Sequence, residues 1–398
     1  MRKSTFAMLS GIILASTFLL NPTNIQAASP FIEIQKDQTP IYENRTGSLE
    51  LVGYLNQFQQ FPLAKEINPN WFQIKLGNSN GYILKTTANP TLYPGYENVN
   101  VRYKNTKVTV VTLKDTPVYD NTSGRLVPFS TIKENRRYPV LYTAGNWYAV
   151  DVAGRIGFIY KGNVKIDKGI PVLMYHHILK ASENVNFRNS STITPEEFKQ
   201  QIDYLHQQGY ETITTKQLEQ YINGNLNLPG KAVLITFDDG LKSVYLYAYP
   251  ILKQYHMKAA SFLITSRVTN TPSNFIPKNL QTLSKPEIEQ MRDVFEFQGH
   301  THNLHSLNSA NRSYMLIQPL SVVRNDLLTN KMQANATSFA YPFGQFNASI
   351  ISLLKQTGFQ SAYTTHGGYV HIGDDPYRIN RFGIEPTTTF QKFREIFE

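Results

Sequence analysis

The 398-residue sequence contains no cysteine. That absence excludes disulfides, thiol catalysis, iron–sulfur clusters, Cys-ligated zinc and lipoprotein-type acylation. Any catalytic metal must therefore be held by His, Asp or Glu. Histidine is scarce and unevenly placed: there are nine, and none precedes His176. Charged residues are only 17% of the chain, against 41% hydrophobic and 12% aromatic. Such a balance rules out a largely disordered chain, a coiled coil and a collagen. No apolar run after the first 28 residues approaches the length of a membrane span. What remains is globular material, long enough at about 150 residues per domain for two or three domains.

The first segment reads as an address. Arg2 and Lys3 precede an apolar run from Phe6 to Leu20, and Ile25-Gln26-Ala27-Ala28 follows. A positive start, an apolar stretch and a small-residue cleavage site predict a signal peptide over 1–27, cut after Ala27. The expected mature protein is soluble and secreted or cell-wall associated, and a cysteine-free exported chain suits a Gram-positive bacterium.

Residues 28–92 and 93–166 carry a repeat. Thr39-Pro40-Ile41-Tyr42 returns as Thr116-Pro117-Val118-Tyr119, Asn70-Trp71-Phe72 as Asn146-Trp147-Tyr148, and Gly81-Tyr82-Ile83 as Gly157-Phe158-Ile159. Matched anchors at a nearly constant offset mean duplicated units. Short alternating runs broken by Asn and Gly predict small all-β barrels. The motif order resembles bacterial SH3-like modules, and that resemblance implies binding to cell-wall polymers. Residues 28–166 carry 16 Lys and Arg against 10 Asp and Glu, so most of the mature chain's excess positive charge lies here. A basic exported module suits anionic wall polymers. Scattered cations without a basic run argue against nucleic acid. Trp71 and Trp147, the only two tryptophans, are candidate wall-binding residues, although a plain core role explains them too.

Residues 167–398 read differently. Apolar strands at 170–174, 232–236, 260–264, 295–297, 337–341 and 361–363 alternate with helical stretches. Two of those stretches open on the capping boxes Thr194-Pro195-Glu196-Glu197 and Ser284-Lys285-Pro286-Glu287. The alternation predicts a parallel α/β domain, barrel or doubly wound, with its chemistry at the carboxyl ends of the strands. The unusual polar residues fall there. Thr236-Phe237-Asp238-Asp239-Gly240 puts two carboxylates at a strand exit, where one can hold a metal while the other stays free as a base. Gly299-His300-Thr301-His302-Asn303-Leu304-His305 puts three histidines after another strand. One Asp with two His suits Zn²⁺ and leaves coordination open for water and substrate; Co²⁺ or Ni²⁺ fit the same donors.

With both motifs present, residues 170–395 resemble the polysaccharide deacetylases of the NodB-homology type. The resemblance implies a distorted (β/α) barrel and an exported hydrolase that removes acetyl groups from N-acetylglucosamine residues of peptidoglycan or poly-N-acetylglucosamine. It assigns Asp238 as base and Asp239, His300 and His305 as metal ligands, with His302 the rival ligand. The five-residue His300–His305 spacing, with Leu173-Met174-Tyr175-His176, looks like the branch acting on poly-N-acetylglucosamine. Phe339-Ala340-Tyr341-Pro342-Phe343-Gly344 matches the family's groove motif. It implies a substrate groove of Tyr341, Pro342, Phe343 and His176, with the Phe343 backbone N–H as oxyanion donor. Arg381 is the candidate brace of the base, in competition with Arg378. The family's late histidine motif is not visible, which leaves His366 and His371 as the nearest candidates for the general acid. A catalytically degenerate wall-binding protein is the alternative reading.

Overall fold

The computed structural model describes residues 31–92, 108–121, 123–188 and 191–398. The expected signal peptide, over 1–27, lies outside them. Among the described residues no helix is long and apolar enough to cross a membrane.

Each repeat folds into the same set of strands. In the first, Phe31–Ile34 pairs with Gln60–Pro62 and Ala88–Thr91; in the second, Thr109–Thr112 pairs with Arg137–Pro139 and Val164–Ile166. Strand alternation buries one face, as along Trp71–Leu76, where Phe72, Ile74 and Leu76 point inward. The shared glycines have a steric cause. A Cβ on Gly81 would lie 2.8 Å from Ile41, and one on Gly157 would lie 2.3 Å from Val118 and 2.7 Å from Phe129.

The repeats do not stand as two self-contained barrels. Val127–Ile132 pairs antiparallel with Glu50–Leu55, and Trp147–Val152 meets Trp71–Leu76 through Val152 and Leu76. Those two seams close eight strands into one antiparallel ring. Inside it Ile41, Val52, Phe72, Val118, Phe129 and Val150 share one core. Closure leaves fewer open edges than two separate barrels would.

The second half is a parallel sheet covered by helices. Its strand order is Ser361–Tyr363, Ser338–Ala340, Phe295–Gly299, Ala259–Leu263, Ala232–Phe237, Val172–Tyr175, Phe382–Gly383, with Glu211–Thr212 beside Ala232–Phe237. The expected barrel is thus realised as a parallel half-barrel. A single isolated bridge between Tyr363 and Ile379 reaches toward closure. Both capping boxes form, at the helices Pro195–Gln207 and Lys285–Met291. The helical stretch before Ser338–Ala340 is split into Tyr314–Ile317 and Leu320–Ala334, because Pro319 has no N–H to continue the first piece. Central strands such as Ala232–Phe237 are buried along their whole length, as helices on both faces require.

The two halves meet at a polar joint. Arg137, buried, pairs with Asp167 at 2.6 Å and donates to the carbonyls of Pro229 and Gly230 at 2.5 and 3.1 Å. Asn227 donates to the carbonyl of Leu76 at 2.8 Å.

Candidate active site

The motif residues converge because the parallel register puts strand exits side by side. Tyr175 pairs with Phe237, so His176 and Asp238 leave neighbouring strands at the same level. Gly299 pairs with Phe339, which brings His300 beside Ala340. Asp239, Thr301 and Phe343 then turn the chain at φ of 71°, 69° and 59°. Left-handed backbone at non-glycine residues costs of order 1–3 kcal/mol each and clusters where a site demands it.

Asp238 is buried, and both its oxygens are held by one side chain. Arg381 donates from Nη1 and Nη2 at 2.7 and 2.8 Å. Arg381 is itself immobilised, fully buried, with Nε on the Thr364 carbonyl at 2.8 Å and Nη1 on the Thr236 hydroxyl at 3.2 Å. Burial alone would raise the Asp238 pKa; the Arg381 guanidinium, helped by His300, overrides it and holds the carboxyl well below its usual range. Arg378, the competing candidate, is exposed and pairs with Asp375.

Asp239, His300 and His305 stand together, their ligand atoms within 4.8 Å of one another. Asp239 Oδ1 lies 3.6 Å from His300 Nε2 and 3.4 Å from His305 Nε2. That oxygen is buried and has no hydrogen-bond partner. A buried acceptor without a donor is costly, and a divalent cation among the three groups would satisfy it. His300 Nδ1 lies 2.7 Å from the Ala340 carbonyl, which fixes its tautomer and turns Nε2 toward the other two ligands. Burial pushes His300 and His305 down to about 4, with His305 adding to the effect on His300 and Arg267 to that on His305. Neutral imidazoles are what a metal requires. The donor set fits a divalent ion.

His302 takes no part. Its Nδ1 lies 3.0 Å from the Thr265 hydroxyl, and the ring faces a separate groove with Val268, Lys285 and Phe297.

The groove motif divides. Phe343 is exposed, and its ring centroid lies 4.5 Å from that of His305. Tyr341 and Pro342 are buried, so they do not line a groove; the Tyr341 hydroxyl donates to the Tyr377 carbonyl at 2.9 Å and its ring stacks on Phe346. They belong to the core beneath the site. His176, half-buried, has Nε2 3.9 Å from Asp238 Oδ2. The other two histidines lie elsewhere. His371 pairs with Asp374 beside the Ile170–Val370 bridge, at the opposite end of the strands, and His366 is exposed near Phe346.

Trp71 and Trp147 sit at equivalent half-buried places, edge-on to Tyr42 and Tyr119. Trp147 borders a cleft of about 280 Å³, with Tyr142, Phe158 and Leu126. By strand register Lys65, opposite Gln73, stands in the first repeat where the second has Tyr142, opposite Ala149.

Residues 225–362 match the polysaccharide deacetylase family. A poly-β-1,6-N-acetyl-D-glucosamine N-deacetylase of Staphylococcus epidermidis is 32% identical over 225 residues, 54% of this chain and 75% of that protein. The chain belongs to the polysaccharide deacetylase family. It is a hydrolase of amide bonds, a polysaccharide N-deacetylase. A deacetylase of the same description from Staphylococcus aureus strain N315 is 30% identical over 230 residues, 53% of this chain and 77% of that protein. Among solved structures, IcaB from Ammonifex degensii aligns at 28% identity over 57% of this chain and 95% of its own, with a TM-score of 0.49. The family match takes in Asp238, Asp239, His300, His305 and Phe343.

Proposed function

We propose that this deacetylase is exported and removes acetyl groups, with a divalent metal, from N-acetylglucosamine residues of an extracellular polymer, poly-β-1,6-N-acetylglucosamine before peptidoglycan. The observation that carries the reading is the unpaired, buried Asp239 oxygen facing two neutral imidazoles, next to a carboxylate, Asp238, that is ionised and free of that triad. The names of the staphylococcal relatives support the β-1,6 polymer. Zn²⁺ is the ion these donors suit best. The bound cation supplies Lewis acidity to the acetyl carbonyl and acidity to the attacking water.

The chain's own residues do the rest. Asp238, oriented by Arg381, accepts the proton of the attacking water. The backbone N–H of Phe343 is assigned to the developing oxyanion, where one such donor is worth about 3 kcal/mol. His176, half-buried with Nε2 3.9 Å from Asp238 Oδ2, gives a proton to the departing amine. The C–N bond breaks, acetate is released, and a glucosamine residue remains in the polymer. A carboxylate-pair glycosidase does not fit, because Asp238, kept ionised by Arg381, cannot be its general acid and Asp239 faces histidines. The basic double barrel would hold the enzyme to anionic wall polymers.

The test is acetate release from β-1,6- and β-1,4-linked N-acetylglucosamine oligomers and from peptidoglycan, with and without chelator. Chelator-sensitive release, fastest on the β-1,6 oligomers, is expected. A lack of such release from all three substrates would favour a wall-binding protein with a decayed catalytic half.

A further inference from the structure

The metal-ligand loop, residues 300–305, is built across the side of one helix, Leu320–Ala334. Two polar side chains of that helix, one turn apart and therefore on one face, meet the loop backbone. Asp326 accepts from the His302 and Asn303 N–H groups at 2.7 and 2.6 Å, one per carboxylate oxygen. Asn330, fully buried, donates to the Thr301 carbonyl at 2.6 Å, the Leu263 carbonyl at 3.0 Å and the Thr265 hydroxyl at 3.2 Å. The same Thr265 hydroxyl reaches the His302 ring. A glycine makes room for this: a Cβ on Gly299, the residue before His300, would lie 2.3 Å from Asn330 Oδ1.

We infer that Asp326 and Asn330 are positioning residues that hold the His300–His305 loop in its metal-ready shape. Neither touches a ligand imidazole. Asn330 fixes the carbonyl just after His300, at the left-handed Thr301, and Asp326 fixes the two amides midway to His305. Between them they pin the stretch that sets the distance and angle between the two imidazoles. They also turn His302 away, since its backbone is gripped by Asp326 and its ring by Thr265. The inference rests on the metal reading of the Asp239, His300 and His305 triad. Partners that orient metal ligands typically change metal affinity 10–100-fold when removed.

The experiment compares full-length wild-type protein with Asp326→Asn, Asn330→Ala and Thr265→Val. Co²⁺ and Zn²⁺ affinities are measured by chelator competition, and the visible absorption of the Co²⁺ forms is recorded. Expected is a 10–100-fold loss of affinity in Asp326→Asn and Asn330→Ala, with a changed Co²⁺ spectrum, at protein concentrations where circular dichroism shows a folded chain. Thr265→Val, close to isosteric, keeps the test open if either variant misfolds; its expected loss is several-fold. Arg324→Ala, on the exposed side of the same helix, should bind as wild type does. Wild-type affinity and spectrum in every folded variant would overturn the positioning role alone. A wild-type protein that binds neither ion would overturn the metal reading with it.

Discussion

Arg381 grips both carboxylate oxygens of Asp238, at 2.7 and 2.8 Å, from 143 residues further along the chain. The pair does two jobs. It fixes which way the Asp238 carboxylate faces, and it keeps that group ionised. Replacing Arg381 by Met leaves a buried carboxylate alone, which costs about 3–5 kcal/mol. Expected is a lower unfolding midpoint, lower turnover and an acid limb of the kcat–pH profile displaced upward, because the guanidinium no longer holds the Asp238 pKa down. An unmoved acid limb would mean that another group sets it.

Asp238→Asn tests the base from the other side. The triad is untouched, so metal content measured by atomic emission should stay at the wild-type level. Turnover should fall by about 10²–10⁴, the usual contribution of a positioned base. His176→Ala should show the same separation. Its metal content is expected to stay normal and its kcat to fall by a similar factor.

The motifs themselves were readable because they are local: each is a run of residues at one strand exit. The distinction between His302 and His305 was readable only through a family pattern, and its physical cause is the Thr265–His302 contact, made across 37 residues. His176 as partner of the base depends on the pairing of Tyr175 with Phe237, a register no local pattern reveals. Tyr341 carries a polar group and follows a strand, so it resembled a groove residue; the carbonyl of Tyr377 satisfies its hydroxyl inside the core. Asp326 and Asn330 look like the polar side of a surface helix. Only the loop packed against them distinguishes their face from the exposed one. The repeat was plain from its offsets, but the seams that fuse the copies join Ser130 to Leu55 and Val152 to Leu76, and neither follows from spacing.

Glu43 gives the double barrel a pH dependence of definite sign. Burial pushes its pKa up to about 7, against the pull of Arg136, the Ser79 hydroxyl and Arg45. The folded state therefore binds a proton more tightly than the unfolded chain. Its contribution is complete below pH ~4.5 and is lost as pH rises through about 7. Glu43→Gln should remove that slope, so that the variant gains on the wild type by up to about 3 kcal/mol between pH 4.5 and 8. Denaturant unfolding of both proteins at the two pH values measures it. Parallel pH profiles would show that Glu43 is ionised in the fold.

Removal of the metal should cost stability as well as turnover. A ligand bound only by the folded state adds about 2.7 kcal/mol at a hundred times its Kd. Dialysis against a chelator is expected to lower the unfolding temperature by several degrees, and Zn²⁺ should restore it. His300→Ala should show the low value with or without Zn²⁺.

The division of labour between the halves is best tested without cutting them apart. A chain beginning near Ile166 would lose Arg137, the partner of buried Asp167, and would bare Asn227 and Leu228 where the barrel now packs. Its failure would mix damage with loss of binding. Charge and aromatic contact can instead be separated in the whole protein. If the basic barrel is held to the wall by charge, retention on sacculi should weaken as salt rises, because exposed charges are screened beyond ~8 Å at physiological ionic strength. Trp71→Ala and Trp147→Ala should then leave both retention and its salt dependence close to wild type. Hydrolysis of soluble oligomers should stay unchanged in both, since neither tryptophan is part of the catalytic half. Salt-insensitive retention that Trp147→Ala abolishes and Trp71→Ala spares would move the role to the aromatic cleft of the second repeat.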